Sequence, residues 1–251
     1  SLRRAGRRYR LPFHVMSEHG SFRVGRSPLK KEAIGVLDPI DNSDEHNRGV
    51  EGQPGLDAPQ HIVYAMYDLD NQPLGAVDAN LYTRHLVINR DGRNYQFNPR
   101  TNELTELARP ARVSSMSDRG FVLATYEGRP VYEKKIHGLI PGIKDARHEK
   151  STKHAKGGSH IYASMATGAV NAYVMFDEPR GEIDQGLPFA LSAGFDVSSI
   201  DLRTGEPTPY KFDPVLHSRK SNVPLFIAAS TPELRDEIIG EFMKAKQKAG
   251  V

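Results

Sequence analysis

The stretch Leu37-Asp38-Pro39-Ile40-Asp41-Asn42-Ser43 places two carboxylates three positions apart around a proline. The apolar residues 34–37 predict a buried strand, and residues 43–60, which contain three glycines and two prolines, predict a loop. Two carboxylates that converge at the end of a strand either share a proton or bind a cation. The sequence therefore predicts a site of acidic chemistry at this strand end.

Composition limits the kinds of function that fit. The 251 residues suffice for one large domain or two small ones, and 34 basic minus 31 acidic residues give a net charge of +3. So small a charge does not favour nucleic acid as a partner, although a pI near 9.0 is compatible with anionic ligands. With no cysteine, a metal must bind oxygen or imidazole nitrogen. No apolar run or leader pattern predicts a membrane span or secretion, so we expect a cytoplasmic protein.

Apolar periodicity and turn residues predict a mixed α/β chain. Residues 62–100 should form an antiparallel meander, with a hairpin turn at Asp91-Gly92. Helices are expected around residues 159–168, through residues 184–193 and from Pro232 onward, where Thr231 is the capping residue. Further strands are predicted at residues 11–16, 34–37, 121–125, 172–176 and 224–229.

Other acidic residues occupy positions comparable to that of Asp38. Glu18 follows the first predicted strand, and Asp184 precedes the short apolar helix. Open sheets of α/β proteins build their sites where strands end. Gly158-Ser159 opens a helix and could offer backbone N–H groups to an anion.

Four ordered motifs resemble those of the inositol monophosphatase and fructose-1,6-bisphosphatase superfamily of lithium-sensitive, magnesium-dependent phosphatases. Its pattern is a Glu after a strand, then D-P-I/L-D-G-T/S, a G-S pair opening a helix, and W-D-x-A-A-G. The corresponding residues are Ser17-Glu18, residues 38–43, Gly158-Ser159 and residues 183–186. The resemblance spans residues 11–245 and implies a layered α/β/α/β sandwich. We expect a single unit over residues 1–251, with a mixed-sheet half that holds the metal site (11–135) and a C-terminal α/β half (136–251).

The resemblance also implies a site for two or three Mg²⁺ ions, with Mn²⁺ as an alternative. Glu18, Asp38 and the carbonyl of Ile40 would hold one ion, and Asp38, Asp41 and Asp184 a second. The implied catalytic residues are Glu18, Asp41 and Ser43, whose hydroxyl would orient the attacking water. The implied substrate-binding residues are Asn42, Ser43, Gly158, Ser159, Asp177, Glu178 and Asp184.

The function implied is hydrolysis of a phosphate monoester of a sugar or of inositol, within carbohydrate metabolism, by a homodimer or higher oligomer. The chain departs from the family pattern at Asn42, which replaces Gly, at Ile183, which replaces Trp, and at Gly186-Leu187, which replace Ala-Ala. The family's N-terminal helices and their Asp have no counterpart before Glu18. We therefore expect one of three cases: a truncated or processed chain, a second chain that supplies these helices, or a non-catalytic member that acts as a binding or assembly subunit.

Each of these residues also has a plain structural interpretation. Asp38 and Asp41 could form an Asx turn, Asp184 or Ser43 could cap a helix, and Glu18 could be a solvated strand end. Gly158-Ser159 could be turn residues only. The basic residues 144–156 are interpreted as a solvated loop or as a clamp for a second phosphate. His14, His19, His46 and His160 are interpreted as surface or pocket-wall residues.

Overall fold

The computed structural model describes residues 13–17, 20–24, 33–41, 60–81, 83–125 and 158–248, without the side chains of Phe13, Val24, Ile40 and Asp41. The predictions for Glu18, Asn42, Ser43, His19 and His46 fall outside the described residues. So do those for the side chain of Asp41, for the loop at 43–59 and for the basic segment 144–156.

Eight described strands form the first sheet, in the order β2-β1-β3-β4-β5-β6-β7-β8. β1 and β3 are parallel, and the other neighbouring strands are antiparallel. The predicted meander is confirmed, and positive φ at Asp91 and Gly92 suits its tight hairpin turn. The strands are β1 (Phe13–Ser17), β2 (Gly20–Val24), β3 (Ala33–Asp41), β4 (His61–Tyr67), β5 (Pro73–Asn80), β6 (Leu86–Arg90), β7 (Arg93–Asn98) and β8 (Glu103–Glu106).

Five described strands form the second sheet, in the order β12-β11-β13-β10-β9. They are β9 (Leu123–Thr125), β10 (Ala172–Pro179), β11 (Asp196–Ile200), β12 (Pro207–Pro209) and β13 (Asn222–Ala229). The described helices are α1 (Ile161–Ala166), α2 (Leu187–Ala193), α3 (Pro214–Ser218) and α4 (Pro232–Lys248), with a 3₁₀ turn at Arg180–Glu182.

The two sheets and the helices form alternating layers. One core packs α1 and α2 between the sheets, around side chains such as Tyr67, Tyr162 and Phe226. A second core lies on the other face of the second sheet, where Phe242 of α4 packs against Phe176 of β10. The predicted layered α/β sandwich is confirmed. In the described part of the chain, no helix combines the length and the apolar composition that crossing a bilayer requires.

The strand that carries the two carboxylates is longer than the sequence predicted. β3 continues to Asp41 and pairs with β4 up to His61, with a register shift between Asp38 and Asp41. Pro39 lies inside this shift, where a residue without an N–H group is tolerated because the regular ladder is interrupted. The prediction that the strand ends before Asp38 is therefore wrong, and Asp38 belongs to an irregular strand end.

A close backbone contact joins α2 to α1. A Cβ atom built on Gly186 would lie 2.0 Å from a ring carbon of Tyr162 and 2.6 Å from the carbonyl oxygen of Ser159. Only glycine allows this approach, which brings the residues around Asp184 against the start of α1.

Gly186→Ala is expected to lower the free energy of unfolding by about 3 kcal/mol, because the buried Tyr162 ring and the Ser159 carbonyl must both move. Urea unfolding measures this change. Gly240→Ala is the matched control, because a Cβ there meets no atom within 4 Å and α4 is an ordinary helix. The control should stabilise the protein by about 0.5–1 kcal/mol, and equal effects of the two variants would contradict the contact.

The buried hydroxyl of Tyr64, on the first sheet, makes the stability of the protein depend on pH. Its hydroxyl lies over Gly35 and has no hydrogen-bond partner among the described residues. Desolvation by burial raises the pKa of Tyr64 to about 12.

The unfolded chain therefore releases the Tyr64 proton near pH 10 and the folded chain does so only near pH 12, so stability is lost as the pH rises between these values. At pH 11, the Tyr64→Phe variant should retain about 1 kcal/mol of the free energy of unfolding that the original protein loses as the pH rises. Urea-unfolding free energies of both proteins from pH 8.5 to pH 11 measure the difference. Parallel pH profiles would show that the hydroxyl is hydrated in the folded state.

Candidate functional site

A cavity of about 530 Å³ lies where β1, β2 and β3 meet the 3₁₀ turn and α3. We call it the Asp38 cavity. Its wall combines apolar surface with polar side chains of both signs, which suits a small ligand that carries some polar groups. These side chains are His14, Ser17, Ser21, Asp38, Glu182, Gln185, His217, Ser218 and Lys220. The interpretation of His14 as a pocket-wall residue is confirmed. His160 is also a pocket-wall residue, since it lines a smaller cavity of about 200 Å³ and stacks on His61 with ring centroids 4.8 Å apart.

Asp38 and Ser159 are brought together across 121 positions of the chain. The Ser159 hydroxyl donates a hydrogen bond of 3.2 Å to Oδ2 of Asp38. Asp38 is 6% exposed and Ser159 is fully buried, so the serine reaches the Asp38 cavity only through the carboxylate. Two predicted site residues therefore touch, and one of them orients the other.

The Gly158 amide is engaged within the fold. It donates a 2.7 Å hydrogen bond to the hydroxyl of Tyr173, and the residue has a φ of +146°, which favours glycine. The following helix α1 has only six residues. Binding of an anion by the Gly158 amide stays a prediction. In the structure this amide donates its hydrogen bond to Tyr173.

Asp184 lies at the centre of a buried polar cluster, which we call the Asp184 cluster: Asp184, Arg180, Tyr210 and His217. The Tyr210 hydroxyl donates to Oδ1 at 2.8 Å, and His217 Nδ1 lies 2.7 Å from Oδ2. Arg180 Nη1 lies 3.9 Å from Oδ1 and donates to the Tyr210 hydroxyl at 3.0 Å. From the first sheet, the Tyr67 hydroxyl donates to the Asp184 carbonyl at 2.5 Å. Asp184 itself is 0% exposed.

The electrostatics of the Asp184 cluster follow from burial. Desolvation raises the pKa of Asp184, and the hydrogen bonds from His217 and Tyr210 and the charge of Arg180 act in the opposite direction. Burial and the nearby carboxylate likewise raise the pKa of Tyr67 and of Tyr210, so both hydroxyls remain donors.

The local sequence explains how His217 reaches this cluster. Asp213 caps α3 by accepting hydrogen bonds from the amides of Val215 and Leu216, and Pro214 occupies the first turn. One turn later the helix places His217 over Asp184, with the imidazole against the ring of Phe212. The Asp213-Pro214 capping signal was present in the sequence but was not interpreted as a helix start.

Asp184 does not fit a divalent cation in this arrangement. Each carboxylate oxygen already accepts a hydrogen bond from the protein, and a guanidinium lies nearby. Mg²⁺ retains several waters, which a fully enclosed group cannot accommodate. Within the described ranges, no three His, Asp or Glu side chains converge on one point. Its assignment as a metal ligand stays a prediction, and its surroundings favour a structural role.

Asp38 fits a cation better, because it is a carboxylate in a cavity wall at an irregular strand end. Asp177 and Glu178 lie at the end of β10. Asp177 has a positive φ and accepts a hydrogen bond from Asn222, and Glu178 is buried. Pro179 contributes to the described wall of the Asp38 cavity, whereas Asp177 and Glu178 do not.

Tyr210→Phe is expected to lower the free energy of unfolding at pH 7 by about 2 kcal/mol, because a buried carboxylate loses a hydrogen-bond donor. Urea unfolding measures the change. Tyr64→Phe is the matched control, since it removes a buried hydroxyl that no described residue bonds. A Tyr210 variant as stable as the control would show that the carboxylate does not depend on this donor.

Comparisons with known proteins address the fold. No protein-family model matches this sequence, and no curated protein matches it. Several solved structures are similar. Mycobacterium tuberculosis SuhB has a TM-score of 0.62 at 18% identity over 97% of this chain and 81% of its own. SaIMPase-II with bound inositol monophosphate has a TM-score of 0.61 at 16% identity over 99% and 82%. An IMPase of Thermotoga maritima has a TM-score of 0.58 at 15% identity over 98% and 80%.

The similarity to these structures covers nearly the whole chain, although few residues are identical. It agrees with the motif order that the sequence showed and with the alternation of two sheets and helices. The chain has the fold of the inositol monophosphatase superfamily.

Proposed function

We propose that this chain is a magnesium-dependent phosphomonoesterase that hydrolyses a sugar or inositol phosphate. The observation that carries the proposal is the position of Asp38. It is the first carboxylate of an Asp-Pro-Ile-Asp stretch, and it lies in the wall of a cavity between elements of the two sheets. The fold is that of structures determined with inositol monophosphate and with 2'-AMP, both phosphate monoesters.

The cavity suits an anionic ester with polar groups. Lys220 and His14 contribute nitrogen-bearing side chains to the same wall as Asp38. Serine hydroxyls line the same space and can donate to phosphate oxygens or accept from substrate hydroxyls. A volume of about 530 Å³ is sufficient for a monosaccharide phosphate.

The residues that would hold Mg²⁺, or Mn²⁺ in its place, are Asp38, Glu18 and Asp41 with the carbonyl of Ile40. All of them offer hard oxygen ligands, which these ions prefer. A bound ion would neutralise phosphate charge and lower the pKa of a coordinated water. Ser159 would keep the Asp38 carboxylate oriented through its hydrogen bond.

A non-catalytic subunit with this fold is the second candidate. The observation that favours it is the Asp184 carboxylate, whose two oxygens accept hydrogen bonds from Tyr210 and His217. Such a protein would bind a phosphate ester or a partner without turnover, and it would not need to bind Mg²⁺. The expected homodimer or higher oligomer, the second chain and the cytoplasmic location remain proposals under either function.

We expect the protein to release phosphate from members of a panel of sugar, inositol and nucleotide monophosphates only when Mg²⁺ or Mn²⁺ is present. Asp38→Asn should lower kcat/KM by at least about 100-fold, because a neutral amide replaces the ligand carboxylate. Chelation by EDTA should abolish turnover, and added Mg²⁺ should restore it. Colorimetric phosphate assays measure both effects.

Asp91→Asn is the control for this substitution, since the Asp91 side chain is 78% exposed at a hairpin turn. It should leave kcat/KM unchanged, and both variants should melt close to the original temperature. Absence of turnover across the panel, combined with no Mg²⁺ binding by calorimetry, would exclude the hydrolase and favour the non-catalytic candidate.

A further inference from the structure

Gln185 carries a buried amide that the fold does not hydrogen-bond. The residue is 2% exposed, and its Oε1 is enclosed without a hydrogen-bond partner. Its Nε2 donates to no residue that the structure describes, and this atom, unlike Oε1, is not fully enclosed. Gln185 lines the Asp38 cavity, so the small accessible part of the residue opens onto that cavity.

Other buried amides show how the fold usually treats this group. Asn89 Nδ2 donates to Asn94 at 2.8 Å, and Asn171 Oδ1 accepts from a backbone amide at 2.8 Å. Gln60 also has an unpartnered amide nitrogen, but it does not line the Asp38 cavity. Burying an amide without partners costs free energy, and in a native structure such a group indicates a bound water or ligand. Gln185 combines the unpartnered amide with a position in a cavity wall.

The backbone on both sides of Gln185 is fixed by buried contacts. The preceding Asp184 is held by the Asp184 cluster, and the following Gly186 packs closely against the carbonyl of Ser159. The Ser159 hydroxyl in turn donates to Asp38. Gln185 therefore precedes the residue that contacts the Asp38 partner, and Gln185 and Asp38 contribute to one cavity wall.

We propose that Gln185 is a phosphate-binding residue, whose Nε2 donates a hydrogen bond to an oxygen of the phosphate group in the Asp38 cavity. The inference rests on the proposed function, which puts a phosphate ester in this cavity. An amide is a neutral donor, so it binds phosphate without adding a charge that would repel a cation at Asp38. The contact also explains why Nε2 has been left without a protein partner.

Replacement by methionine tests the contact, because methionine keeps an unbranched side chain and removes both polar atoms. In full-length protein with Mg²⁺ present, Gln185→Met should weaken the binding of inorganic phosphate about tenfold, the size expected for one hydrogen bond to a charged group. Isothermal titration calorimetry measures the dissociation constant. Unchanged phosphate binding would overturn the role of Gln185 and leave the phosphatase function intact. Absence of both phosphate binding and turnover in the original protein would overturn both proposals.

Thermal stability separates a ligand contact from structural support. Gln185→Met removes a buried acceptor that no protein group bonds, so it should raise the melting temperature of the ligand-free protein by about 2–4 °C. A residue that only supports the fold would give the opposite result. Weaker phosphate binding together with a lower melting temperature would therefore contradict the proposal.

A change of charge separates a phosphate contact from a cation ligand. Gln185→Glu keeps the shape of the side chain but replaces the donor with a carboxylate, so it should weaken phosphate binding more than Gln185→Met does. Gln247→Glu is the matched control, since it makes the same charge change on the exposed face of α4, and it should leave phosphate binding unchanged.

A titration with Mg²⁺ alone completes the test. Gln185→Met should bind Mg²⁺ as the original protein does, because the proposed contact is with phosphate and not with the ion. A loss of Mg²⁺ affinity in this variant would show that the amide oxygen is a cation ligand and would refute the proposed contact.

Discussion

The Asp184 carboxylate has no contact with water, and the free energy lost by removing it from solvent must be recovered from hydrogen bonds and an opposite charge. Three segments of the chain supply these interactions. Tyr210 approaches from the end of β12, His217 from α3 and Arg180 from the 3₁₀ turn. None of these three segments has an apolar surface comparable to that of α4 or β13. Their placement next to one another therefore depends on the charge that they enclose.

The same residue also joins the two sheets. Tyr67 belongs to β4, and its hydroxyl donates to the Asp184 carbonyl while its ring stacks on Phe212 at 3.9 Å between centroids. Gly186 follows two positions later and allows contact with α1 and with Ser159, the Asp38 partner that precedes this helix. Residues 184–186 therefore contact both the first sheet and Ser159, whose hydroxyl bonds Asp38. Supporting contacts of this kind hold the polar groups of a binding site in position.

The sequence predicted those features that depend on local periodicity or on short-range order. The meander, β10, β13 and α4 have clear apolar patterns, and the structure has them within a few residues of the predicted bounds. The end of β3 was predicted wrongly, because Pro39 normally ends a strand and the register shift that accommodates it has no local signal. β11, β12 and α3 were missed because they are short, and because β11 and α3 are stabilised by contacts with β13 and Asp184 that are distant in sequence.

Some residues of the candidate site could likewise be predicted from the sequence, and others could not. Asp38 could be predicted, because carboxylates at a strand end form a recognisable pattern, and the structure places it on a cavity. The roles of His217, Tyr210 and Arg180 could not be predicted. The hydrogen bonds of Tyr210 and His217 to Asp184 span 26 and 33 positions, and the Arg180–Asp184 ion pair lies in a turn with no apolar pattern. The division into halves at residue 135 stays a prediction.

The position of the Asp184 cluster along the chain has a consequence for synthesis. Asp184 leaves the ribosome before Tyr210 and His217, which lie 26 and 33 residues later. Until those partners emerge, the carboxylate stays hydrated and Tyr67 has no buried carbonyl to bond, even though the eight described strands of the first sheet have already been synthesised. A nascent chain that stalls between these positions would therefore expose the inner, apolar face of that sheet. Chaperones that act on newly made proteins recognise exposed apolar surface of this kind.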